Sequence, residues 1–306
     1  MIVVIGDVLV DILVLPDLQK AEQPEGLAIR SGGSAANTAA WIAWLGTSST
    51  FVGCVGDDGP GKMLVDELQL QGVRTAVRRV EDRASGAVLV QVSPDGERLM
   101  KSSRGANQEL SPTDLASLPL KNWSAVHMSG YALLGKSGLD MLAAASALAK
   151  KTSAILSFDP SSESVVESIG VKSLRAALTQ SGVDLLLPNA CEARALTGKT
   201  LLEEAAADLL AVAPRVLLKN RSGPAIAASC GALHSVPTTA LDAVDTTGAG
   251  DAFDAGALVA LAMGTDLDNA CIGGHTTAGL AITYWGGRPL PGTFFSPNYS
   301  QSGEGE

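Results

Sequence analysis

The stretch DTTGAGDAFDAG, residues 245–256, places an acid directly behind two glycines and in front of an apolar, alanine-rich run. Residues 252–259 have the pattern of a helix, and the residues just before them form the loop that leads into it. A helix N-terminus exposes unpaired N–H groups and carries a partial positive charge, and glycines let a ligand approach the backbone closely. The stretch therefore predicts an anion hole for phosphate, made by Gly248, Ala249 and Gly250.

Asp251 is expected in the first turn of this helix, where the positive field keeps a carboxylate ionised. An ionised carboxylate beside a phosphate site is well placed to take a proton from an attacking hydroxyl group. The bland alternative is that Asp251 only caps the helix, with glycine and alanine present for packing. A dinucleotide-binding turn is excluded, because Phe253 occupies the position of the third glycine in G-x-G-x-x-G.

A second glycine-rich stretch, SGGSAANTAAWIAWLG at residues 31–46, predicts a loop that runs into an amphipathic helix. Gly32 and Gly33 allow a small ligand to touch the backbone, and Asn37 both donates and accepts hydrogen bonds. Carboxylates and amides that converge on one pocket suit a polyhydroxylated ligand. Asn37 by itself is equally typical of a polar residue near a helix N-terminus. The carboxylates expected beside it, at the end of the first predicted strand, are Asp7 and Asp11.

The third stretch is LLLPNACEARALTG at residues 185–198, a strand end followed by Asn189 and Glu192. Glu192 is a candidate to hold waters of a magnesium ion, because Mg²⁺ prefers oxygen ligands and keeps most of its water shell. The alternative is a helix start whose first-turn glutamate complements the helix dipole.

A rival phosphate site is Gly130–Ser137, which satisfies G-x-x-x-x-G-K-[ST] between the predicted strand Ala125–Met128 and the predicted helix Leu139–Lys150. A second-motif strand ending at Asp159 would supply the magnesium acid. Against this P-loop, the residues between its glycines are bulky, and it leaves the two other glycine-rich loops unexplained.

The apolar runs predict an α/β fold: a Rossmann-like, mostly parallel sheet flanked by helices, with a small β-lid. Ligands of such sheets bind outside the carboxyl ends of the strands. The lid is expected from two segments that break the alternation of strands and helices, Val10–Arg30 and a hairpin within Ser85–Arg104. We expect one domain over 1–293 and a disordered tail over 294–306. The predicted strands are Ile2–Ile5, Thr50–Val55, Ala125–Met128, Ala154–Phe158, Asp184–Leu187 and Arg215–Leu218.

The bulk composition narrows the classes of partner. The 306 residues carry a formal net charge of −10, which argues against nucleic acid and anionic membrane surfaces. No apolar run is long enough to predict a membrane span, and the N-terminus lacks the pattern of a signal peptide. The four cysteines are widely spaced, without C-x-x-C or Cys/His clusters, which predicts free thiols and a cytoplasmic setting. No G-x-S-x-G supports a Ser-His-Asp hydrolase.

The order of the three stretches resembles the ribokinase-like (PfkB) carbohydrate kinase family, over Ile2 to about Pro291. The late D-T-T-G-A-G-D motif is highly specific, and the early G-G-x-x-x-N motif is moderately so. The resemblance implies ATP as phosphoryl donor, Mg²⁺ as helper and a ribokinase-like fold. It implies that Asp251 is the catalytic base and that Gly248, Ala249 and Gly250 form the anion hole. In this interpretation the P-loop match is accidental.

The resemblance also assigns binding residues. Asp11, Gly32, Gly33 and Asn37 match the family's sugar-binding positions, with Asp7 nearby. Asn189 and Glu192 match the N-x-x-E motif that organises magnesium and phosphates. Lys219 to Gly223 falls at the nucleotide-binding loop, although KNRSG departs from the common T-x-G-x-x-G form. His275 falls near the adenine pocket, and Asp245, Thr247 and the loop after Tyr284 resemble a monovalent-cation site, which suggests K⁺.

The acceptor is narrowed by what the chain lacks. It has no clustered basic residues for a sugar phosphate. FDPSS at 158–162 lacks the Asn and Arg often found in the family's D-P-N-x-R segment, so a sugar-acid kinase is not supported. A small neutral sugar or a nucleoside remains, with phosphorylation of a hydroxymethyl group. The lid is also a candidate surface for a homodimer. A non-catalytic sugar-binding protein is the alternative outside enzymes.

Overall fold

The chain is described here by a computed structural model, over residues 1–14, 26–92, 98–119, 122–239, 241–290 and 293. Thirteen strands lie within these residues. They are β1 (Ile2–Ile5), β2 (Leu9–Val14), β3 (Leu27–Gly32), β4 (Ser49–Gly56), β5 (Arg74–Val80), β6 (Gly86–Val92), β7 (Arg98–Ser103), β8 (Ala125–Ser129), β9 (Ile155–Asp159), β10 (Leu185–Leu186), β11 (Arg215–Leu218), β12 (Ala225–Ser229) and β13 (Ala232–Val236).

Ten α-helices connect or follow these strands in the described part of the chain. They are α1 (Ser34–Trp44), α2 (Gly59–Leu70), α3 (Pro112–Ala116), α4 (Asp140–Thr152), α5 (Glu163–Ile169), α6 (Val171–Ser181), α7 (Ala190–Thr197), α8 (Leu202–Leu209), α9 (Ala249–Ala262) and α10 (Leu267–Ala281). None of the helices in this part of the chain is long and apolar enough to cross a membrane.

The large sheet has nine strands in the order β13-β12-β11-β10-β9-β8-β1-β4-β5. Neighbouring strands from β11 to β5 are parallel, and β12 and β13 add an antiparallel edge. This arrangement confirms the predicted Rossmann-like, mostly parallel sheet. Each predicted strand is present: two have the expected ends, and the ends of the other four differ by at most one residue from those expected.

Helices cover both faces of the sheet, which divides the hydrophobic core into two layers. Along β1, Val3 and Ile5 point into one layer and Ile2 and Val4 into the other. Because both faces are buried, the central strands are continuous apolar runs with no alternation of polar residues. Helices α1, α2, α9 and α10 contribute to the layer of Ile2 and Val4, whereas α4, α6, α7 and α8 contribute to the opposite layer.

A second sheet of four strands, in the order β3-β2-β6-β7, forms the lid expected from 10–30 and 85–104. Strand β2 is antiparallel to β3 and parallel to β6, and β6 and β7 pair as an antiparallel hairpin. The predicted turn at Ser93–Gly96 lies outside the described residues, as does the predicted tail at 294–306. The single domain over 1–293 stays a prediction.

Candidate active site

The predicted site residues lie at the carboxyl ends of the parallel strands, the edge where ligands of open α/β sheets bind. Asp7 follows β1, Asn189 follows β10 and Lys219 follows β11. Helices α1 and α9, which carry Asn37 and Asp251, meet at this edge through a direct side-chain hydrogen bond. Asp11 was expected at the end of the first strand, but it lies on β2 in the lid, because the chain turns at Gly6–Val8 and starts a new strand at Leu9.

Asp251 lies in the first turn of α9 and is 9% exposed. Its Oδ1 accepts a hydrogen bond from Ser34 Oγ and its Oδ2 accepts one from Asn37 Nδ2, both at 2.8 Å. Burial raises the pKa of Asp251 to about 7, although these two hydrogen bonds oppose the rise. The expectation that the helix field keeps this carboxylate ionised was therefore wrong in degree, because the loss of hydration outweighs the field.

The N-terminus of α9 is open. Gly248 stands at its N-cap with φ 71° and ψ 4°, and no side chain in the described part of the chain caps the helix. A Cβ at Gly248 would lie 2.5 Å from Gly287 Cα, so both its conformation and its neighbour require glycine. The predicted anion-hole residues thus surround a helix start at which no side chain of the described residues accepts from the first N–H groups, while the Ala249 N–H donates to the Thr246 carbonyl at 3.3 Å.

The residues predicted to bind the phosphoryl acceptor lie together around the start of α1, except for Asp7. Gly33 is the N-cap of α1 with φ 102°, and Asn37 lies one turn further along. The Asp11 carboxylate lies over Gly32, where a Cβ would approach its Oδ2 to 2.2 Å. Burial raises the pKa of Asp11 to about 6, with Arg288 opposing the rise and Asp245 adding to it.

Asp7 is placed differently from the other acceptor residues. It is 2% exposed, and its Oδ1 accepts a hydrogen bond from Arg104 Nη2 at 2.8 Å. Burial raises the pKa of Asp7, and the Arg104 charge only partly offsets this rise. The same Arg104 nitrogen donates to the Tyr131 carbonyl oxygen. Asp7 therefore holds an arginine beside the acceptor residues, which the sequence interpretation did not include.

Asn189 and Glu192 form a capping box at the start of α7. Asn189 Oδ1 accepts hydrogen bonds from the backbone N–H groups of Cys191 and Glu192. Glu192 Oε2 accepts from the Asn189 backbone N–H at 2.8 Å, and Oε1 accepts from Asn189 Nδ2 at 2.6 Å. Burial, with Asp159 adding to it, raises the pKa of Glu192 to about 8. The helix start that the sequence offered as the alternative describes this local structure, and the magnesium role stays a prediction.

Lys219 is buried in an ion cluster that the sequence did not suggest. Its Nζ donates to Asp254 Oδ1 at 2.8 Å and lies 3.4 Å from Asp159 Oδ2. Burial opposes the ammonium charge, but the carboxylates of Asp159 and Asp254 outweigh it and raise the pKa of Lys219. Burial raises the pKa of Asp254. The Lys219 charge opposes this rise, and the neighbouring Asp159 carboxylate adds to it. A Cβ at Gly250 would lie 3.8 Å from this ammonium, so the cluster lies directly behind the predicted anion hole.

The other predicted nucleotide residues lie further along the same edge. Gly223 is in the loop between β11 and β12, where its N–H donates to the Asn220 carbonyl at 2.7 Å. His275, on α10, packs edge to face against Phe253, with 5.3 Å between the ring centroids. Burial lowers the pKa of His275, which favours a neutral ring. A neutral, half-buried imidazole is compatible with the predicted place near a purine.

The predicted cation residues connect two loops. Asp245 Oδ1 accepts hydrogen bonds from the backbone N–H and the Oγ1 of Thr247, at 2.9 and 2.7 Å. Asp245 Oδ2 accepts from the backbone N–H of Gly286 at 3.0 Å. The carboxylate therefore ties the loop before α9 to the segment after Tyr284, the pairing expected from the resemblance. No three His, Cys, Asp or Glu side chains of the described residues form a ready-made metal site.

Gly130–Ser137 does not have the shape of a phosphate loop. Residues Gly130–Leu134 form a 3₁₀-helix, and the Lys136 ammonium pairs with Glu109 at 2.7 Å while its side chain is 60% exposed. Ser137 Oγ donates to the Leu110 carbonyl. This segment is therefore a 3₁₀ turn, and it is not a loop whose backbone N–H groups surround an anion.

Sequence reasoning missed Ser34, Arg104, Asp254 and Arg288, and it considered Asp159 only as the magnesium acid of the rival P-loop. Ser34 had a signal, because it stands inside the quoted S-G-G-S stretch. Asp254 lies one helical turn beyond Asp251 in the quoted DAFDAG, where it could have been suspected. No local sequence pattern pointed to Arg104 or Arg288, because each contacts a partner that is far away in the sequence.

The chain belongs to the PfkB family of carbohydrate kinases. A profile described as pfkB family carbohydrate kinase matches residues 1–291. A fructokinase of Escherichia coli is 31% identical over 269 residues, which cover 84% of this chain and 83% of the fructokinase. The chain is therefore a phosphotransferase of the sugar or nucleoside kinases, and the family expected from its motifs is confirmed.

Solved structures agree with this fold. The adenosine kinase of Sinorhizobium meliloti superimposes with a TM-score of 0.84 at 25% identity, covering 94% of this chain and 95% of that one. An Escherichia coli protein named as a candidate ribokinase II, in complex with ATP and Mg²⁺, superimposes with a TM-score of 0.81 at 24% identity, covering 94% of each chain. The ribokinase-like fold predicted from the sequence is thereby confirmed.

Proposed function

We propose that the protein transfers the γ-phosphoryl group of ATP to a hydroxymethyl group of a small neutral sugar. The observation that carries this proposal is the meeting of two features at one point. The Asp251 carboxylate, held by Ser34 and Asn37, stands in the first turn of a helix whose N-terminus no side chain caps in the described residues. The carboxylate takes the proton of the sugar hydroxyl, and the helix N-terminus binds the phosphoryl group as it is transferred.

The proton-accepting step suits the environment of Asp251. A general base works best when its pKa lies near the working pH, and burial raises the pKa of Asp251 to about 7. The ionised form accepts a proton from the acceptor hydroxyl as that oxygen attacks the γ-phosphorus, and the bond from this phosphorus to the β–γ bridging oxygen breaks, so that ADP leaves. Because the base must be ionised, we expect activity to rise with pH through about 7.

The phosphoryl group is received by the N–H groups of Gly248, Ala249 and Gly250. The partial positive charge of the helix start favours the negative charge that moves onto these oxygens. Lys219 lies behind this loop, although its ammonium is engaged with Asp254 and Asp159. Together with Asn189, Gly223 and His275, it forms the side of the site that we assign to the nucleotide.

Mg²⁺ supplies neutralisation of the phosphate charge when it is bound. The described residues suit an ion held mainly by ATP and water, because Glu192 already accepts hydrogen bonds at both carboxylate oxygens. The second lone pairs of this carboxylate are the groups that we assign to the water shell. Asp245 and Thr247 are assigned to a monovalent cation that shapes the loop before α9.

The acceptor is assigned to Asp11, Gly32, Gly33 and Asn37, with Asp7 placed behind them on Arg104. Carboxylate and amide groups at this point suit the hydroxyls of a sugar ring. A nucleoside is the second candidate acceptor, favoured by the likeness to the adenosine kinase. A non-catalytic sugar-binding protein is disfavoured, because Asp251 and its two hydrogen-bond donors are all in place.

The direct test is turnover of a panel of acceptors: fructose, ribose, glucose and adenosine with ATP and Mg²⁺. We expect acceptor-dependent ADP release with at least one sugar. Turnover of adenosine alone would select the nucleoside alternative, and no turnover with any member would contradict the proposal.

Repeating the assay without potassium, then with added KCl, tests the cation site. We expect a higher rate with potassium, and equal rates would remove this part of the proposal.

The lid is proposed as a homodimer surface. Leu27, Ile29 and Leu89 lie on one face of it and are 48, 54 and 37% exposed. Ile29 and Leu89 both stand opposite Ile12 in the register, so the apolar side chains are neighbours. Light scattering after gel filtration measures the mass in solution, and a monomer at assay concentration would contradict this surface. The cytoplasmic setting stays a prediction from the cysteine spacing.

A further inference from the structure

Arg288 lies between Gly32, in the loop proposed to bind the phosphoryl acceptor, and Asn37 on helix α1. It is 6% exposed, its Nε donates to Asn37 Oδ1 at 3.1 Å, and its Nη2 donates to the Gly32 carbonyl at 2.7 Å. Its Nη1 lies 3.8 Å from Glu67 Oε1. A buried arginine is thus bonded to two of the proposed acceptor residues and lies one side chain away from Asp251.

We propose that Arg288 is a positioning residue that fixes the direction of the Asn37 carboxamide, so that its Nδ2 group donates to Asp251. This inference rests on the proposed role of Asp251 as the base. It adds a residue from the loop after Tyr284, which the sequence had suggested only for a monovalent cation.

The chemistry of the donors carries the proposal. A guanidinium has donors only, so the end of the Asn37 amide that faces Arg288 must be the oxygen. An ionised carboxylate has acceptors only, so the end that faces Asp251 must be the NH₂ group. Without Arg288, the amide can turn over and accept a hydrogen bond from protonated Asp251. Arg288 therefore favours the ionised form of Asp251, which is the form that acts as a base.

An arginine suits this position better than a lysine. The planar fork of a guanidinium directs separate N–H groups to the Asn37 oxygen and the Gly32 carbonyl at once. The backbone beside it is held by Trp41, whose Nε1 donates to the Gly287 carbonyl at 3.0 Å. Burial lowers the pKa of Arg288 to about 10, with Glu67 and Asp11 opposing the fall, so the side chain is charged at neutral pH.

The consequence is measurable at Asp251. Loss of the Asn37 hydrogen bond removes an interaction with the ionised carboxylate, and the pKa of Asp251 should rise further. Other charges around Asp251 stay the same in the variants proposed here. These groups, from the elements packed against it, are Asp159, Glu192, Lys219 and Tyr131.

The test follows Asp251 directly, by carboxyl NMR of protein labelled with ¹³C at the aspartate side chains. The resonance missing from Asp251→Asn identifies Asp251, and its titration is compared in wild type and Arg288→Met. We expect Arg288→Met to raise this pKa by about one unit, since a hydrogen bond to a charged group is worth about that much. Arg288→Lys, which keeps the charge but not the fork, should raise it by less. It also serves if Arg288→Met does not fold.

The control for loss of a paired arginine is Arg175→Met, because Arg175 bonds Asp208 and the Leu196 carbonyl away from the site. This variant should leave the titration of Asp251 unchanged. The decisive comparison is made in an Asn37→Ala background, where Arg288→Met should add a clearly smaller rise, because only the direct effect of its charge on Asp251 is then lost. An unchanged titration in the Arg288 variants would overturn the inference. So would an equal rise with and without Asn37, because Arg288 would then act only through its charge.

Turnover gives a second readout. With whichever of fructose, ribose or adenosine the wild type phosphorylates, the acid limb of kcat/KM should move to higher pH in Arg288→Met by the same shift. A fall in kcat/KM that is uniform with pH would indicate only structural damage and would overturn the inference. If the wild type phosphorylates none of them, the proposed function fails, while the NMR titration still decides whether Arg288 acts through Asn37.

Discussion

Helices α7 and α9 both begin at the carboxyl edge of the large sheet, and both carry an acid in the first turn, but their N-termini are satisfied in opposite ways. At α7, Asn189 and Glu192 exchange hydrogen bonds with the backbone N–H groups. At α9, the N-cap is Gly248, and no side chain caps the helix in the described residues. Side chains therefore accept from the first N–H groups of α7, whereas at α9 no side chain of the described residues does so and the Ala249 N–H donates to the Thr246 carbonyl.

The acids differ with the caps. Glu192 points back to its own helix start, whereas Asp251 points across to Ser34 and Asn37 on another helix. Helix α1, which supplies those two residues, also begins at a glycine without a side-chain cap. The two helix starts proposed to bind ligands therefore share a glycine at the N-cap, and α9 adds an acid whose partners lie elsewhere in the fold.

The largest effect should follow from removing the acid at the open terminus. General base catalysis contributes about 10²- to 10⁴-fold, so Asp251→Asn should lower kcat by that much while ATP still binds. Steady-state kinetics and ATP titration calorimetry measure the two effects. Asp266→Asn, at the cap of α10, is the matched control and should keep wild-type kcat, because Asn caps a helix as well as Asp. A healthy Asp251→Asn enzyme would remove the distinction between the two termini.

The next effect tests the open terminus itself. Gly248→Ala adds a Cβ that would lie 2.5 Å from Gly287 Cα, so the loop must shift and its N–H groups with it. Misplacing a donor of this kind should cost about 10²-fold in kcat. Gly264→Ala is the control, because Gly264 also has a positive φ but no atom within 4 Å of its Cβ position. Equal kcat values in the two variants would show that the geometry of Gly248 does not matter.

The acceptor side extends the comparison to α1. Asp11→Ala should weaken acceptor binding by about 2–3 kcal/mol, because charged hydrogen bonds to hydroxyls are lost, while ATP affinity barely changes. Calorimetry with acceptor and, separately, with ATP measures both. Unchanged acceptor binding would mean that the pocket has been placed wrongly.

At the capped terminus, Glu192→Gln separates the two roles of this residue. Glutamine still serves in a capping box, so the thermal midpoint should stay close to that of the wild type. Loss of the charge from the water shell of Mg²⁺ should raise the magnesium concentration needed for half-maximal rate by about tenfold. An unaltered magnesium requirement would leave Glu192 as a cap and nothing more.

The smallest effect is expected at the rival loop. Lys136→Ala removes an exposed ion pair with Glu109, which is worth little, so ATP affinity should stay within a few fold of wild type. A P-loop lysine would instead be needed for nucleotide binding and turnover. Loss of ATP binding in a folded Lys136→Ala protein would therefore move the phosphate site away from α9.

The sequence by itself determined the elements and the family. Continuous apolar runs identified the buried strands, since strands covered on both faces show no polar alternation. The glycines and acid of 245–256 identified the open helix start, because N-terminal signals are local and depend on neighbours along the chain. The same locality explains why Glu192 had two interpretations, since a capping acid and a magnesium acid share one pattern.

Only the tertiary structure decided which groups meet. Asn37 and Asp251 are 214 residues apart in sequence, and Arg288 and Asn37 are 251 apart, so no spacing could pair them. Burial was equally beyond the sequence, and it raises the pKa of Asp251 to about 7 against the field of its own helix. The physical reason is that propensity and capping act between neighbours along the chain, whereas dehydration and side-chain hydrogen bonding depend on everything that folding packs around a group.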